Sequence, residues 1–135
     1  MDIQKINFGA AKDPTIFSDI AERSAIYIKA GKDANKTTQL RKFYDELVMW
    51  YDKVNIEGKE KRESKYRELV PFIKMLKAKV AYAEGRKHIN KNFSEVFNRC
   101  IDQVNSAETL KDAKLFMEAV MGYCKLEEAK SSNQY

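Results

Sequence analysis

The chain has 135 residues and a mass of 15.7 kDa; 44% of the residues are hydrophobic, five are Gly and two are Pro. This length suits one domain, and the composition excludes collagen-like, low-complexity and wholly disordered proteins. Lys and Arg number 25 against 20 Asp and Glu, so the net charge is +5, which favours a polyanionic partner.

The first half of the chain carries signals for two helices. Asp13 before Pro14 predicts a helix start, because an Asp oxygen caps free amides and a proline at the first helical position needs no amide partner. We expect this helix to end near Gly31, where turn formers predict a loop, and Thr37 or Thr38 can cap the next helix. Its apolar residues recur at helical spacing and predict a core-facing stripe: Leu40, Phe43, Tyr44, Leu47, Val48, Tyr51 and Val54.

The third helix is predicted to be interrupted. Alternating charges from Lys59 to Arg67 are typical of an exposed helical stretch. Pro71 removes an amide donor and crowds the preceding turn, so we expect the helix to be kinked or restarted near this residue, and to end at Gly85. Its later half carries a second apolar stripe: Leu69, Ile73, Leu76, Val80 and Ala83.

Two further helices follow, the second of which Asn105 or Ser106 can cap. Their stripes are Ile89, Phe93, Val96, Phe97, Cys100, Ile101 and Val104, and then Leu110, Ala113, Met117, Val120, Met121 and Cys124. No segment alternates polar and apolar residues as a strand does. We therefore predict an all-α bundle of about five helices in a single domain over residues 1–135, with residues 1–12 and 126–135 poorly ordered.

Residues suited to catalysis or metal binding are scarce. His88 is the only histidine, which excludes sites built from several imidazoles. Glu84 lies one turn before His88, but the chain lacks the further Glu and His pairs of a helical di-metal centre. Cys100 and Cys124 lie within apolar stripes, where a thiol behaves as a small hydrophobic group. We predict no enzyme activity, no metal ion and no cofactor, with His88 as a surface residue.

The sequence also bears on the compartment. No run approaches the roughly 18 apolar residues that a membrane-spanning helix needs. The first residues, Met1 to Ala11, lack the continuous apolar segment of a secretory signal, and two cysteines are too few for a disulfide framework. We expect a cytoplasmic protein without a membrane partner.

The net charge is concentrated between Pro71 and Lys91. This segment holds six basic residues and one acid, Glu84, whereas the remaining charges of the chain cancel. The six basic residues are Lys74, Lys77, Lys79, Arg86, Lys87 and Lys91.

Part of this segment combines charge with an aromatic ring. At 100° per residue, Lys79, Tyr82 and Arg86 point away from the apolar stripe of the third helix. Cations offset phosphate charge and a ring offers a stacking surface, so this face suits a nucleic-acid backbone, and Lys87 extends it. The alternative is a solvated helix surface with Tyr82 packed on a neighbouring helix.

A second basic group, Lys36, Arg41 and Lys42, surrounds the start of the second helix. Positive side chains beside the free amides of a helix N-terminus form an anion site. They oppose the helix dipole at a cost of about 0.3 to 1 kcal/mol each, which is too small to decide whether the charge is used. The acids of this helix lie off the apolar stripe and are predicted to form a solvated face: Asp45, Glu46 and Asp52.

Two segments carry a resemblance to a known family. They are residues 37–44, Thr-Thr-Gln-Leu-Arg-Lys-Phe-Tyr, and residues 72–86, Phe-Ile-Lys-Met-Leu-Lys-Ala-Lys-Val-Ala-Tyr-Ala-Glu-Gly-Arg. In order and separation they resemble the small subunit of the type III-A CRISPR (Csm) effector complex, and the resemblance is specific from about Lys36 to Lys87.

The resemblance implies a helical bundle without catalytic residues. It implies that several copies stack along the guide RNA and the captured target RNA, between the subunit with polymerase activity and the backbone subunits that cut the target. Carried over by position, it implies RNA contacts for six residues: Gln39, Arg41, Lys42, Lys79, Tyr82 and Arg86. Together with the two basic groups, it predicts these RNA-binding residues: Gln39, Arg41, Lys42, Lys79, Tyr82, Arg86, Lys36 and Lys87.

Two other functions stay open at this point. One is a helical adaptor that contacts only proteins, including other subunits of the complex and copies of itself. The other is a small nuclease or nucleic-acid-modifying enzyme that uses His88 as its acid or base.

Overall fold

Six α-helices and three short 3-10 helices form the fold in a computed structural model that describes residues 1–30 and 35–132. The α-helices are α1 (Asp19–Lys29), α2 (Thr37–Asn55), α3 (Arg62–Lys74), α4 (Leu76–Gly85), α5 (Lys91–Asp102) and α6 (Ala107–Ser132). The 3-10 helices are Ile3–Lys5, Gly9–Ala11 and Lys59–Lys61. No strand occurs within the described residues, so the all-α prediction is confirmed.

The core lies around α6, which packs against α1 and α2, while α5 packs against α4 and α1. All the predicted stripe residues of α5 and α6 are buried, as are Leu40, Leu47 and Val54 of α2. Phe43 completes an aromatic layer between α2 and α5, with its ring centroid 5.7 Å from that of Phe93 and 5.8 Å from that of Phe97.

The bend predicted near Pro71 is confirmed, and it separates α3 from α4. Pro71 lies inside α3, and the helical path breaks four residues later at Met75. The Met75 amide donates to the Pro71 carbonyl at 3.1 Å before α4 begins. Lys74 fixes the bend, since its Nζ donates to the Ile101 and Val104 carbonyls at 2.7 Å each and so caps the end of α5. Burial lowers the pKa of Lys74.

The predicted start of the first helix at Pro14 is wrong. The Asp13 carboxylate accepts from the Thr15 amide at 2.8 Å and from the Thr15 hydroxyl at 2.7 Å, which closes a local turn. This turn buries Ile16, and α1 begins only at Asp19. The predicted end at Gly31 lies outside the described residues, and α1 ends at Lys29.

The ends of the chain pack more extensively than their sequences indicate. Ile6 and Phe8 belong to the core, and the Phe8 ring lies 5.8 Å from that of Phe116. Ser106 caps α6 as predicted, because its Oγ accepts from the Thr109 amide at 3.0 Å, and α6 continues to Ser132 without an apolar stripe in its last turns. Poor order at the two ends stays a prediction.

Candidate nucleic-acid interface

The outer face of α4 presents an aromatic ring beside a guanidinium group. Lys79, Tyr82 and Arg86 are exposed, as expected from their helical positions, and Tyr82 keeps 67% of its surface accessible. Arg86 Nη1 donates to the Tyr82 hydroxyl at 3.2 Å, and the guanidinium carbon lies 5.7 Å from the ring centroid. The neighbour that Tyr82 contacts is therefore a cation four residues later, directly after the end of α4, and the ring stays accessible for stacking.

Lys79 is bonded to an acid of another helix. Its Nζ lies 2.9 Å from Glu46 Oε2 and 3.2 Å from Glu46 Oε1. Glu46 remains accessible to solvent, in line with the solvated face predicted for the acids of α2, and its carboxylate also bridges to α4. Asp45, its neighbour, pairs with Arg41 at 3.8 Å.

The backbone just after α4 is left-handed at a lysine. Lys87 has a φ of +64°, and its amide donates to the Glu84 carbonyl at 2.9 Å. The next amide, of His88, reaches back to the Ala83 carbonyl at 3.0 Å. This pattern of bonds ends many helices and favours glycine at the left-handed position. Gly85 is the last residue of α4, as predicted, but the left-handed turn falls on a positively charged residue instead.

Asn35 joins the start of α2 to the end of α4. It is fully buried with a φ of +66°, and its amide donates to the His88 carbonyl at 3.4 Å. Its side-chain oxygen accepts from the Asn90 amide at 2.8 Å, and its side-chain nitrogen donates to the Ile28 carbonyl at 3.0 Å. Asn is the residue other than glycine that most readily adopts such a φ, and it satisfies the buried polar groups on both sides.

We call these hydrogen bonds of Asn35 with His88 and Asn90 the Asn35 joint. Because the joint connects the start of α2 to the end of α4, the two basic groups meet. Lys36 follows Asn35 directly, and Lys87 precedes His88. On α2, Gln39, Lys42 and Glu46 fall within about 60° of one another at 100° per residue, so they share the face that reaches Lys79. We refer to the resulting set as the basic surface: Lys36, Gln39, Lys42, Lys79, Tyr82, Arg86 and Lys87.

Arg41 is separated from this set. It lies on the opposite face of α2, in a groove of about 360 Å³ between α2 and α6 that Tyr44 and Glu118 also line. Lys42 instead donates to Gln39 Oε1 at 3.2 Å on the side of the basic surface. The eight predicted residues therefore form one group of seven and one outlying arginine.

The N-terminus of α2 differs from the prediction. The Thr37 hydroxyl does not cap its own helix but donates to the Glu128 carboxylate of α6. The same carboxylate accepts from the Thr37 amide at 3.2 Å and from Lys29 Nζ at 3.1 Å. These hydrogen bonds lower the pKa of Glu128 to about 2, and the bond from the Thr37 hydroxyl has the largest effect. A carboxylate of the chain itself thus accepts from the Thr37 amide at this helix end, and the anion site expected at Lys36, Arg41 and Lys42 stays a prediction.

The two cysteines are buried, whereas the single histidine is exposed. Burial raises the pKa of Cys100, and it raises that of Cys124 to about 12, so both thiols are protonated and inert. His88 is exposed beyond the end of α4. Within residues 1–30 and 35–132, no three His, Cys, Asp or Glu residues cluster as metal ligands. The described helices include none that is long and apolar enough to span a membrane.

Asn35 and Glu128 are the two organising residues that sequence reasoning missed. An Asn in a turn-forming segment two residues before a helix start is a usable signal for a left-handed residue. Nothing local to Glu128 indicates its role, because Thr37 lies 91 residues away in the sequence.

The chain matches the model of a known protein family. The family model described as Csm2 Type III-A matches residues 11–130, which include the whole basic surface and Arg41. No curated protein and no solved structure matches the chain.

Proposed function

The chain belongs to the Csm2 family and is a small subunit of a type III-A CRISPR complex, and from this premise we propose that it binds the RNA backbone without catalysing a reaction. Several copies stack along the guide RNA and the target RNA, beside the other subunits, in the cytoplasm. The basic surface supplies the RNA contacts, and Arg41 contacts a strand that passes around the start of α2.

The observation that carries this proposal is the backbone bond between Asn35 and His88. It brings Lys36 and Lys87 from two helix ends to one place, where their charges add. The exposed ring of Tyr82 lies on the same face. Cations that follow a phosphate backbone beside an aromatic ring are typical of proteins that bind single-stranded nucleic acid.

An adaptor that contacts only proteins is the second candidate. It is favoured by Phe72 and Met75, which lie next to the α3–α4 bend and are 51% and 54% exposed. Phe72 stacks on Trp50 with the ring centroids 5.7 Å apart, so the bend presents an apolar surface to its surroundings. Such surfaces are common at protein interfaces.

Filter binding of single-stranded RNA across a salt series separates the two candidates. We expect the affinity to fall linearly on a log–log plot as salt rises, since bound phosphates release counterions. Binding that is absent at low salt, together with assembly into the complex, would support the protein-only adaptor instead.

The enzyme alternative rests on His88. We expect His88→Ala to leave target RNA cutting by the assembled complex within a few-fold of the unmodified complex, because no side chain among residues 1–30 and 35–132 pairs with this exposed imidazole. RNA cleavage assays with and without divalent metal measure this. A loss of two orders of magnitude with assembly intact would contradict a role without catalysis.

A further inference from the structure

Lys79 is a cation of the basic surface whose charge is already compensated. Both oxygens of Glu46 lie within hydrogen-bond distance of its ammonium nitrogen, at 2.9 and 3.2 Å. The two side chains are 47% and 37% exposed, so water and a phosphate group can both reach the pair. An ion pair at this exposure contributes little to folding, and a stronger anion can displace the carboxylate.

Glu46 lies close enough to Lys79 to compete with a phosphate group for its ammonium nitrogen. It lies on the face of α2 that carries Gln39 and Lys42, and its backbone is held by the packing of α2 against α3 and α6. The carboxylate therefore cannot move away with its helix when a strand binds. A phosphate that contacts Lys79 must therefore displace this carboxylate or share the ammonium group with it, and in both cases it lies beside a negative charge.

We infer that Glu46 competes with RNA for Lys79 and thereby limits the affinity of the basic surface, an inference that rests on the proposed function. Glu46 is a positioning residue, since it acts through Lys79 and not by touching RNA. When a phosphate of the RNA binds Lys79, Glu46 binds a cation from solution. This uptake offsets the release of one counterion from the RNA. The carboxylate therefore lowers both the affinity for RNA and the dependence of binding on salt.

The test compares Glu46→Gln with the unmodified chain. The probe is a fluorescein-labelled single-stranded RNA of mixed sequence, followed by fluorescence anisotropy across a salt series. We expect Glu46→Gln to bind more tightly and its log–log salt slope to steepen by about 0.7, which corresponds to a gain growing about 2.6-fold between 200 and 50 mM salt. The matched control is Asp52→Asn, which removes the same charge from an exposed position about 9 Å further along α2.

A second background separates competition for Lys79 from general repulsion. In a Lys79→Ala chain there is no ammonium to release, so Glu46→Gln should leave the salt slope unchanged. An equal effect of Glu46→Gln with and without Lys79, or an effect equal to that of Asp52→Asn, would overturn the inference. Absence of any effect in a chain that does bind RNA would overturn it too. If the unmodified chain binds no RNA, alone or in the assembled complex, the proposed function fails, and the inference fails with it.

Discussion

Lys87 places a positive charge at a backbone position where its own main chain is strained. A left-handed lysine costs roughly 1–2 kcal/mol relative to the right-handed conformation, and glycine avoids this cost. Local strain of this kind is tolerated where the side chain has a use. The residue lies at the end of α4 beside the Asn35 joint, where the two basic groups meet.

We therefore expect Lys87→Gly to affect folding and binding in opposite directions. Relief of strain should exceed the roughly 0.4–1 kcal/mol of added freedom in the unfolded chain, so the stability should rise by about 0.5 to 1 kcal/mol. The affinity for RNA should fall, with a salt slope flatter by roughly 0.7. Urea denaturation and RNA anisotropy measure the two effects. Lys87→Ala is the control, because it removes the charge and keeps the strain; a stability gain equal to that of Lys87→Gly would contradict this explanation.

We expect alanine variants of Arg86, Lys79 and Tyr82 to differ in their effects on RNA affinity and on its salt dependence. Arg86→Ala should flatten the salt slope by roughly 0.7, and Lys79→Ala by less, since Glu46 already compensates its charge. Tyr82→Ala should lower the affinity by about 1 to 3 kcal/mol with little change of slope if a base stacks on the ring.

Lys59 and Lys61 provide the control for these three variants. They lie in the 3-10 helix before α3, at the far end from α4. Neutralising both should matter less than losing Lys79 and Arg86 together. Equal log–log salt slopes for the Lys59/Lys61 and Lys79/Arg86 double variants, with unaltered circular dichroism, would show that the charge acts diffusely and not through the basic surface.

At the scale of the elements, periodicity predicts what each helix buries but not what its ends contact. The stripes of α5 and α6 are buried throughout, because a 3.6-residue repeat records the buried face directly. The cap at Thr37 was mispredicted because its hydroxyl has a partner 91 residues away on α6. Likewise, Asp13 follows local rules correctly, but it closes a turn and not a helix start.

Phe97 tests the packing of α5 within these elements. It is fully buried and contacts Phe93 and Phe43, so Phe97→Ala should cost about 3 to 5 kcal/mol. This is a large part of the roughly 5–15 kcal/mol that stabilises a domain. Phe72→Ala removes the same ring from a half-exposed position and should shift the urea midpoint far less. Similar midpoints for the two variants would show that α5 does not bury this face.

Glu128 gives a prediction that depends on pH. Its pKa is lowered to about 2 in the folded chain, against about 4.3 for an unperturbed glutamate. A lowered folded pKa stabilises the fold above the unfolded value, and this contribution is lost as the pH falls towards 2. Glu128→Gln should therefore lower the melting temperature at pH 7, with the difference shrinking between pH 5 and pH 2.

Glu127→Gln is the matched control for this titration. Glu127 is the preceding residue of α6 and pairs with Lys130 on the helix surface. Its substitution should change the melting temperature less at pH 7, since surface pairs of this type contribute little. A difference between Glu128→Gln and the unmodified chain that stays constant from pH 7 to pH 2 would contradict the titration of Glu128.

At the scale of the whole molecule, the sequence was sufficient for the class of fold and for the exposure of the α4 residues. The helical wheel turns Lys79, Tyr82 and Arg86 outward, and the structure has them there. The pairing of Lys79 with Glu46 and the joint at Asn35 were beyond prediction, because each depends on how separate helices meet. Periodicity within one helix carries no information on the neighbour that a polar side chain reaches.

The joint at Asn35 also has a consequence for how binding and folding are linked. The contact with Asn90 closes a loop of 55 residues that contains α2, α3 and α4. Closing this loop costs conformational entropy, and the chain loses that entropy when it folds, whether or not RNA is present. A strand that touches both Lys36 and Lys87 then finds its two contacts already side by side and binds the closed loop in preference to the open one. Linkage makes this reciprocal, so the strand holds the loop shut by the same free energy with which the loop favours the strand.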